Sequence, residues 1–141
     1  MSSPLIQRLL DEGHAALVDE ESLPEYAQQN ARTLLFFAGD VRRYPESSDL
    51  AVILPELAQA FDGCFQIALV AQAAESALQK RFGFNHWPTL VLLQGEEYLG
   101  AISKLQNWAE YRTNIQNLLQ SEPRRPPGFA IPVIEQGSGC A

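Results

Sequence analysis

The sequence lacks a paired cysteine motif. Cys64 and Cys140 are the only cysteines among its 141 residues, and they stand too far apart for a Cys-x-x-Cys redox site or a zinc-binding cluster. In a reducing compartment both would be free thiols. The chain also has no cluster of metal-ligating residues and no glycine-rich phosphate-binding motif, so no cofactor is expected.

Long apolar runs are missing as well. The longest, such as residues 67–71 and 90–93, are far shorter than the ~20 residues that a membrane-spanning helix needs, so membrane insertion is not expected. The first residues show neither the basic region nor the apolar region of a secretory signal. The sequence therefore predicts a cytoplasmic protein.

Positive charge is scarce. Ten Lys and Arg residues against 17 Asp and Glu residues give a formal net charge of -7 at pH 7. Because the chain has no basic stripe to replace phosphate counterions, neither nucleic acid nor an anionic membrane is an expected partner. Acidic residues accumulate between positions 11 and 25 with no Lys or Arg among them. They form either a solvated surface or a surface that attracts a basic partner.

The pattern that is present is an alternation of strands and helices over residues 1–121. Nearly continuous apolar runs predict strands that are covered on both faces of a sheet. Residues 122–141 are rich in Pro and Gly and predict a separate C-terminal tail. The predicted strands are residues 14–18, 31–38, 65–71, 89–93 and 97–102, of which the last two form a hairpin.

Capping residues and apolar periodicity predict the helices. Ser2 or Ser3 caps a first helix that begins at Pro4 and ends near Gly13. The second predicted helix runs from a capping box at Ser22 to Gln29, and the third from the N-cap Asp49 past Pro55 to Phe61. The last two run from Glu75 to Phe82 and from Asn107, which forms a capping box with Glu110, to Leu119.

Three burial predictions follow from the same patterns. Trp108 and Tyr111 are predicted to be core residues because they share a helical face, and Cys64 is predicted to be a small buried residue.

After the first helix the predicted order is β-α-β-α-β-α-β-β-α, and over residues 14–120 it resembles the thioredoxin fold, a central mixed sheet with helices on both faces. Residues 85–89 (Asn-His-Trp-Pro-Thr) take the place of its cis-proline loop. A cis bond before Pro88 would turn the Trp87 backbone outward, where its N–H and C=O can pair with an extended peptide.

The resemblance also implies that the redox residues of thioredoxins are missing from this chain. It places residues 45–50 where thioredoxins carry their redox cysteines, and this segment contains no thiol. The positions that hold a buried aspartate and a buried lysine in thioredoxins correspond to Leu35 and Leu69, which cannot relay protons. The resemblance therefore implies a peptide binder with no buried acid and no catalytic role.

Three motifs narrow the resemblance within the thioredoxin-like proteins. They are Arg43-x-Pro45-Glu46-x-Ser48-Asp49, Arg81-Phe82-Gly83 followed by Trp87-Pro88-Thr89, and Gly95-x-x-Tyr98-x-Gly100. These motifs are similar to those of the HyaE/HupG family of hydrogenase-expression proteins. That resemblance implies a non-catalytic chaperone for [NiFe]-hydrogenase maturation, which binds the twin-arginine signal peptide of the hydrogenase small subunit before export.

The predicted site pairs acidic side chains with an exposed Trp87, which would complement a basic and partly apolar peptide. A simpler interpretation of the acids is that they begin a capped helix. Two other functions stay open: a thiol-disulfide oxidoreductase or isomerase that uses Cys64 alone, and a general interaction module without signal-peptide preference. The predicted peptide-binding residues are Glu46, Ser48, Asp49, His86, Trp87 and Pro88.

Overall fold

The computed structural model describes residues 3–127. Within this range the strands are β1 (Ala15–Val18), β2 (Arg32–Phe37), β3 (Gln66–Val70), β4 (Thr89–Gln94) and β5 (Glu97–Ser103). They form one sheet in the spatial order β1-β3-β2-β4-β5. Strands β1, β3 and β2 run parallel to one another. Strand β4 pairs antiparallel with β2, and β5 pairs antiparallel with β4. The predicted mixed sheet is confirmed.

The helices of the described range are α1 (Pro4–Asp11), α2 (Leu23–Gln29), α3 (Glu46–Ala60), α4 (Glu75–Phe82) and α5 (Trp108–Leu119), with a short 3₁₀ turn at Gln72–Ala74 before α4. Their order along the chain is the predicted one. Among residues 3–127, no helix has both the length and the apolarity needed to cross a membrane.

Strand β2 runs through the centre of the core because both of its faces are covered. Leu34 and Phe36 belong to one apolar cluster, which α1, α3 and α5 cover. Leu35 and Phe37 belong to a second cluster on the opposite face, which α2 and α4 cover. Successive side chains of a strand point to opposite faces, so an unbroken apolar run is required here. All four side chains are fully buried.

Two of the predicted helix caps are confirmed. The Ser3 hydroxyl accepts the Leu5 N–H at 3.1 Å, one residue before Pro4 opens α1. At α5 the capping box is complete, because the Asn107 side chain accepts the Glu110 N–H at 2.8 Å and the Glu110 carboxylate accepts the Asn107 N–H at 3.1 Å.

Two other predicted caps are wrong. Ser22 makes no capping bond to α2, because its hydroxyl accepts the Asp19 N–H at 2.9 Å instead. Asp49 does not cap α3, because the helix already begins at Glu46, and Asp49 lies in its first turn. The physical reason is that the N-cap position is occupied by Pro45, whose restricted φ suits a helix start.

Two burial predictions are also wrong. Trp108 is 39% exposed, because it is the first residue of α5 and adjoins an exposed loop, whereas Tyr111 and Ile115 further along the same face are fully buried. Cys64 is exposed, because β3 begins only at Gln66 and the cysteine still lies in the preceding turn.

The predicted tail, residues 122–141, lies only partly within the described range. Its first residues contact the hairpin, since the Arg124 N–H donates to the Tyr98 carbonyl of β5 at 2.9 Å. Cys140 lies outside the described residues. The domain boundary at residues 121 and 122 stays a prediction.

Candidate functional site

A cleft of about 610 Å³ lies beside the loop that precedes β4. One wall comes from the segment that leads into α3, another from the loop between α4 and β4, and the third from the loop between β5 and α5. The lining residues are Tyr44, Glu46, Asn85, His86, Trp87, Lys104 and Leu105. The thioredoxin-like topology therefore brings three separate loops to one place.

The peptide bond between Trp87 and Pro88 is cis, as predicted. Pro88 is buried beneath the cleft, and its carbonyl accepts the Lys104 N–H at 2.7 Å. The Thr89 hydroxyl donates to the His86 carbonyl at 2.6 Å. No hydrogen bond joins the Trp87 backbone to another residue of the described range. A backbone donor and a backbone acceptor are thus left at the cleft for an incoming chain.

The Trp87 ring is half-buried, which corrects the prediction that it is exposed. Its centroid lies 5.2 Å from that of Phe84 and 6.3 Å from those of Phe37 and Tyr44. Such edge-to-face and tilted pairs contribute about 0.5–1.5 kcal/mol each beyond the burial of their area. The ring is therefore held in place on its inner side, and its outer side lines the cleft.

Gly39 makes this packing possible. It has φ +70°, and a Cβ added to it would lie 3.1 Å from both the Trp87 ring and the Tyr44 ring. A side chain at this position would be strained in its backbone and would also press on both rings. The cleft thus depends on a glycine two residues after β2.

Buried polar side chains hold this end of β2 from both faces of the sheet. The Ser47 hydroxyl, from α3, donates to the Ala38 carbonyl. The Glu75 carboxylate, from α4, accepts the Gly39 N–H at 3.0 Å. Ser47 is fully buried and Glu75 is 7% exposed. The Ala38 carbonyl and the Gly39 N–H are therefore both held by side chains from neighbouring helices.

Glu75 overturns the expectation that the fold has no buried acid. Burial raises the pKa of the Glu75 carboxyl above its ordinary value, and hydrogen bonds from the backbone N–H groups of Gly39 and Ala38 act in the opposite direction. Leu35 and Leu69 are indeed apolar and buried. The acid comes from the start of α4 instead, a position that a motif comparison with thioredoxins does not consider.

The third wall is fixed by a buried tyrosine. The Tyr111 hydroxyl donates to the Lys104 carbonyl at 3.2 Å and accepts the Gln106 N–H at 3.1 Å. Lys104 has φ +67°, a backbone conformation that is uncommon for a residue with a side chain. Leu105, which follows it, is 36% exposed and lines the cleft.

The structure brings together only part of the predicted site. Glu46, His86 and Trp87 line the cleft. Ser48 does not, since its hydroxyl is 2.7 Å from that of Ser3 and joins α3 to α1. Asp49 is exposed in the first turn of α3, outside the lining.

Sequence reasoning missed four lining residues, namely Tyr44, Asn85, Lys104 and Leu105. Asn85 and Tyr44 are close in sequence to predicted residues, so proximity was an available signal. Lys104 and Leu105 follow β5, and their place beside Pro88 depends on strand pairing. The lining is not uniformly acidic, because it contains both the Glu46 carboxylate and the Lys104 ammonium group. Within residues 3–127, His, Cys, Asp and Glu side chains form no group of three that suits a metal ion.

Comparison with known proteins identifies the family. Residues 5–111 match the family model for "Hydrogenase-1 expression protein HyaE". The chain belongs to the HyaE family. This agrees with the resemblance that the sequence motifs indicated.

Relatives of this HyaE-family chain carry matching names. It is 45% identical over 139 residues to the hydrogenase expression/formation protein HoxO of Azotobacter vinelandii. That alignment covers 99% of this chain and 92% of the relative. It is 39% identical over 127 residues to the hydrogenase expression/formation protein HupG of Bradyrhizobium diazoefficiens, covering 90% of this chain and 85% of that protein.

Solved structures confirm the fold of this HyaE-family protein. A hydrogenase expression/formation protein hupG from Rhodopseudomonas palustris is 44% identical with a TM-score of 0.54, over 74% of this chain and 94% of the other. A mutant thioredoxin from Halobacterium salinarum superposes with a TM-score of 0.63 at 20% identity, over 87% of this chain and 99% of the other. At that identity the second likeness shows the fold alone.

Proposed function

We propose that this member of the hydrogenase expression/formation proteins is a non-catalytic cytoplasmic chaperone. It binds the twin-arginine signal peptide of a [NiFe]-hydrogenase small subunit before export. The observation that carries the proposal is the cleft beside Pro88, where the Trp87 ring lies with Trp87 backbone groups that make no hydrogen bond within residues 3–127. Backbone pairing would hold an extended peptide, and side-chain contacts would select it.

The charges of the cleft contribute only a small part of the expected peptide affinity. A single exposed ion pair contributes about 0–1 kcal/mol, so Glu46 alone cannot hold a peptide with two arginines. Burial of apolar peptide side chains against Trp87 and Leu105 must supply most of the affinity, at roughly 25 cal/mol per Å². We therefore expect the apolar part of the signal peptide to dominate the affinity and the arginines to add specificity.

The central test is Trp87→Ala, measured by calorimetry with a synthetic signal peptide. Aromatic anchors at the centre of an interface contribute about 2 kcal/mol or more, so binding should weaken by roughly 30-fold. Leu17→Ala is the matched control, because Leu17 is 56% exposed on β1 and does not line the cleft. Equal affinities for the two variants would show that the peptide binds elsewhere.

A second pair of variants tests the electrostatic part. Glu46→Gln should weaken binding by up to about fivefold and reduce its dependence on salt, since an exposed ion pair contributes at most ~1 kcal/mol and is screened by salt. Asp49→Asn removes a nearby charge that does not line the cleft and should leave both quantities unchanged. If Asp49→Asn has the larger effect, the acidic contact lies on the outer surface of α3.

The proposal also separates this protein from the alternative functions. Cys64 is exposed, but it lies in the turn before β3 and not in the cleft. Reduction of insulin that is abolished by Cys64→Ser would establish an oxidoreductase. A general interaction module would co-purify with the hydrogenase small subunit whether or not that subunit carries its signal peptide. We expect co-purification to be lost when the signal peptide is removed.

A further inference from the structure

We propose that Glu75 is a positioning residue for the cleft. Its buried carboxylate holds the Gly39 N–H, and Gly39 in turn seats the Trp87 and Tyr44 rings. Glu75 itself is not among the cleft-lining residues. The peptide-binding part of this inference rests on the proposed function, but the positioning of the rings does not.

Burial of a carboxylate calls for an explanation. Glutamate is among the residue types that are least often buried, because removing its charge from water is costly unless hydrogen bonds compensate. Of the buried polar side chains within residues 3–127, Glu75 is the one that carries a carboxyl group. An apolar residue would fill the same space without this cost. The group is therefore expected to serve a purpose other than core packing.

The contacts of Glu75 indicate that purpose. An acid in the first turn of a helix commonly stabilises that helix through the macrodipole or by accepting its own N–H groups. The Glu75 carboxylate instead accepts an N–H from Gly39, which is 36 residues away in sequence. The bond thus ties the start of α4 to the end of β2.

Gly39 transmits this constraint to the cleft. The space where its Cβ would lie is filled by the edges of the Trp87 and Tyr44 rings, both at 3.1 Å. A shift of the Gly39 backbone by a few tenths of an ångström would therefore move the rings or leave a gap beneath them. Because Tyr44 and Trp87 both line the cleft, the carboxylate controls the shape of its aromatic wall.

The test uses Trp87 as its own reporter. In a Trp108→Phe background Trp87 is the remaining tryptophan, so fluorescence and acrylamide quenching report on its ring alone. Glu75→Leu should shift the emission and raise the quenching constant of the free protein severalfold. Glu75→Gln retains a carbonyl oxygen that can accept the Gly39 N–H, so it should restore values close to those of the parent.

Two controls keep the result interpretable. Leu57→Ala destabilises the cluster on the opposite face of the sheet and should leave Trp87 quenching unchanged at temperatures where the protein is folded. If Glu75→Leu does not fold, Glu75→Ala replaces it, because it removes the same carboxylate. Unchanged Trp87 quenching in the variant that is used would overturn the proposal, as would a Gln variant that behaves like that variant.

Peptide binding is then measured separately. Glu75→Leu should weaken binding of the synthetic signal peptide by roughly tenfold, and Glu75→Gln should not. If the parent protein binds no signal peptide while Trp87 quenching responds as expected, the proposed function fails and the positioning role stands. If the peptide binds but Glu75→Leu changes neither quenching nor affinity, the positioning role fails and the proposed function stands.

Discussion

Replacing Tyr111 by Phe removes one oxygen atom from the support of the cleft. That hydroxyl joins the Lys104 carbonyl and the Gln106 N–H, at 3.2 Å and 3.1 Å, to the core. A net loss of about 0.5–1.5 kcal/mol per hydrogen bond gives at most ~3 kcal/mol. Because Lys104 is exposed and Gln106 only half-buried, the released groups can reach water, and the expected loss is about 1–2 kcal/mol.

The measurement is urea unfolding, with thermal unfolding as a check. At about 4 °C per kcal/mol for a domain of this size, the melting temperature should fall by roughly 4–8 °C. Since the affected loop forms one wall of the cleft, peptide affinity should also fall severalfold at temperatures where the protein stays folded. The slope of the urea transition should not change, because the surface exposed on unfolding is the same.

Tyr98→Phe is the matched control. Tyr98 is also a buried tyrosine, but its hydroxyl makes no hydrogen bond to another residue of the range 3–127. The control should change the free energy of unfolding by less than about 0.5 kcal/mol. If both variants lose the same stability, or if Tyr111→Phe loses none, the two hydrogen bonds do not support the loop as argued.

Three further results are expected. Burial raises the pKa of the Glu75 carboxyl above its ordinary value, so the folded state binds a proton more readily than the unfolded state. The wild type should therefore become more stable relative to Glu75→Gln as pH is lowered from neutral through the folded-state pKa. A difference in the free energy of unfolding that does not change with pH in urea titrations would contradict this. Thr89→Val removes the hydrogen bonds to the His86 carbonyl and the Ser103 hydroxyl and should cost about 1–3 kcal/mol, while Thr89→Ser, which keeps the hydroxyl, should recover most of that loss in the same assay. Cys64→Ser should change the free energy of unfolding by less than about 0.5 kcal/mol, since the thiol is exposed; a larger loss would indicate hidden packing.

Local patterns were sufficient for the elements of this fold. The apolar run at 31–38 predicts a strand buried on both faces because such a strand has no polar side, and β2 confirms it. The capping box at Asn107 is a short-range hydrogen-bond pattern, and it is present as predicted. Errors arose where a local signal had a competitor, as at Ser22, whose hydroxyl bonds to Asp19 instead of capping α2.

The candidate site was predictable only in part. The cis-proline loop is a contiguous motif, so the sequence could point to Trp87 and His86, which both line the cleft. Ser48 and Asp49 were predicted because the family motif at residues 43–49 contains them, but successive residues of a helix point in different directions, and neither residue of α3 lines the cleft. The expected exposure of Trp87 failed because Phe37 and Tyr44, from two other segments, and Phe84, from its own loop, cover its inner side.

The amino-acid order alone determined the strands and helices, the missing redox cysteines and the position of the proline loop, because each depends on residues that are close along the chain. The tertiary structure decided which distant residues meet at that loop. Lys104 reaches Pro88 through the pairing of β4 with β5, and Glu75 reaches Gly39 because α4 packs against the sheet beside β2. Contacts of this kind depend on how whole elements pack, and no local sequence pattern encodes them.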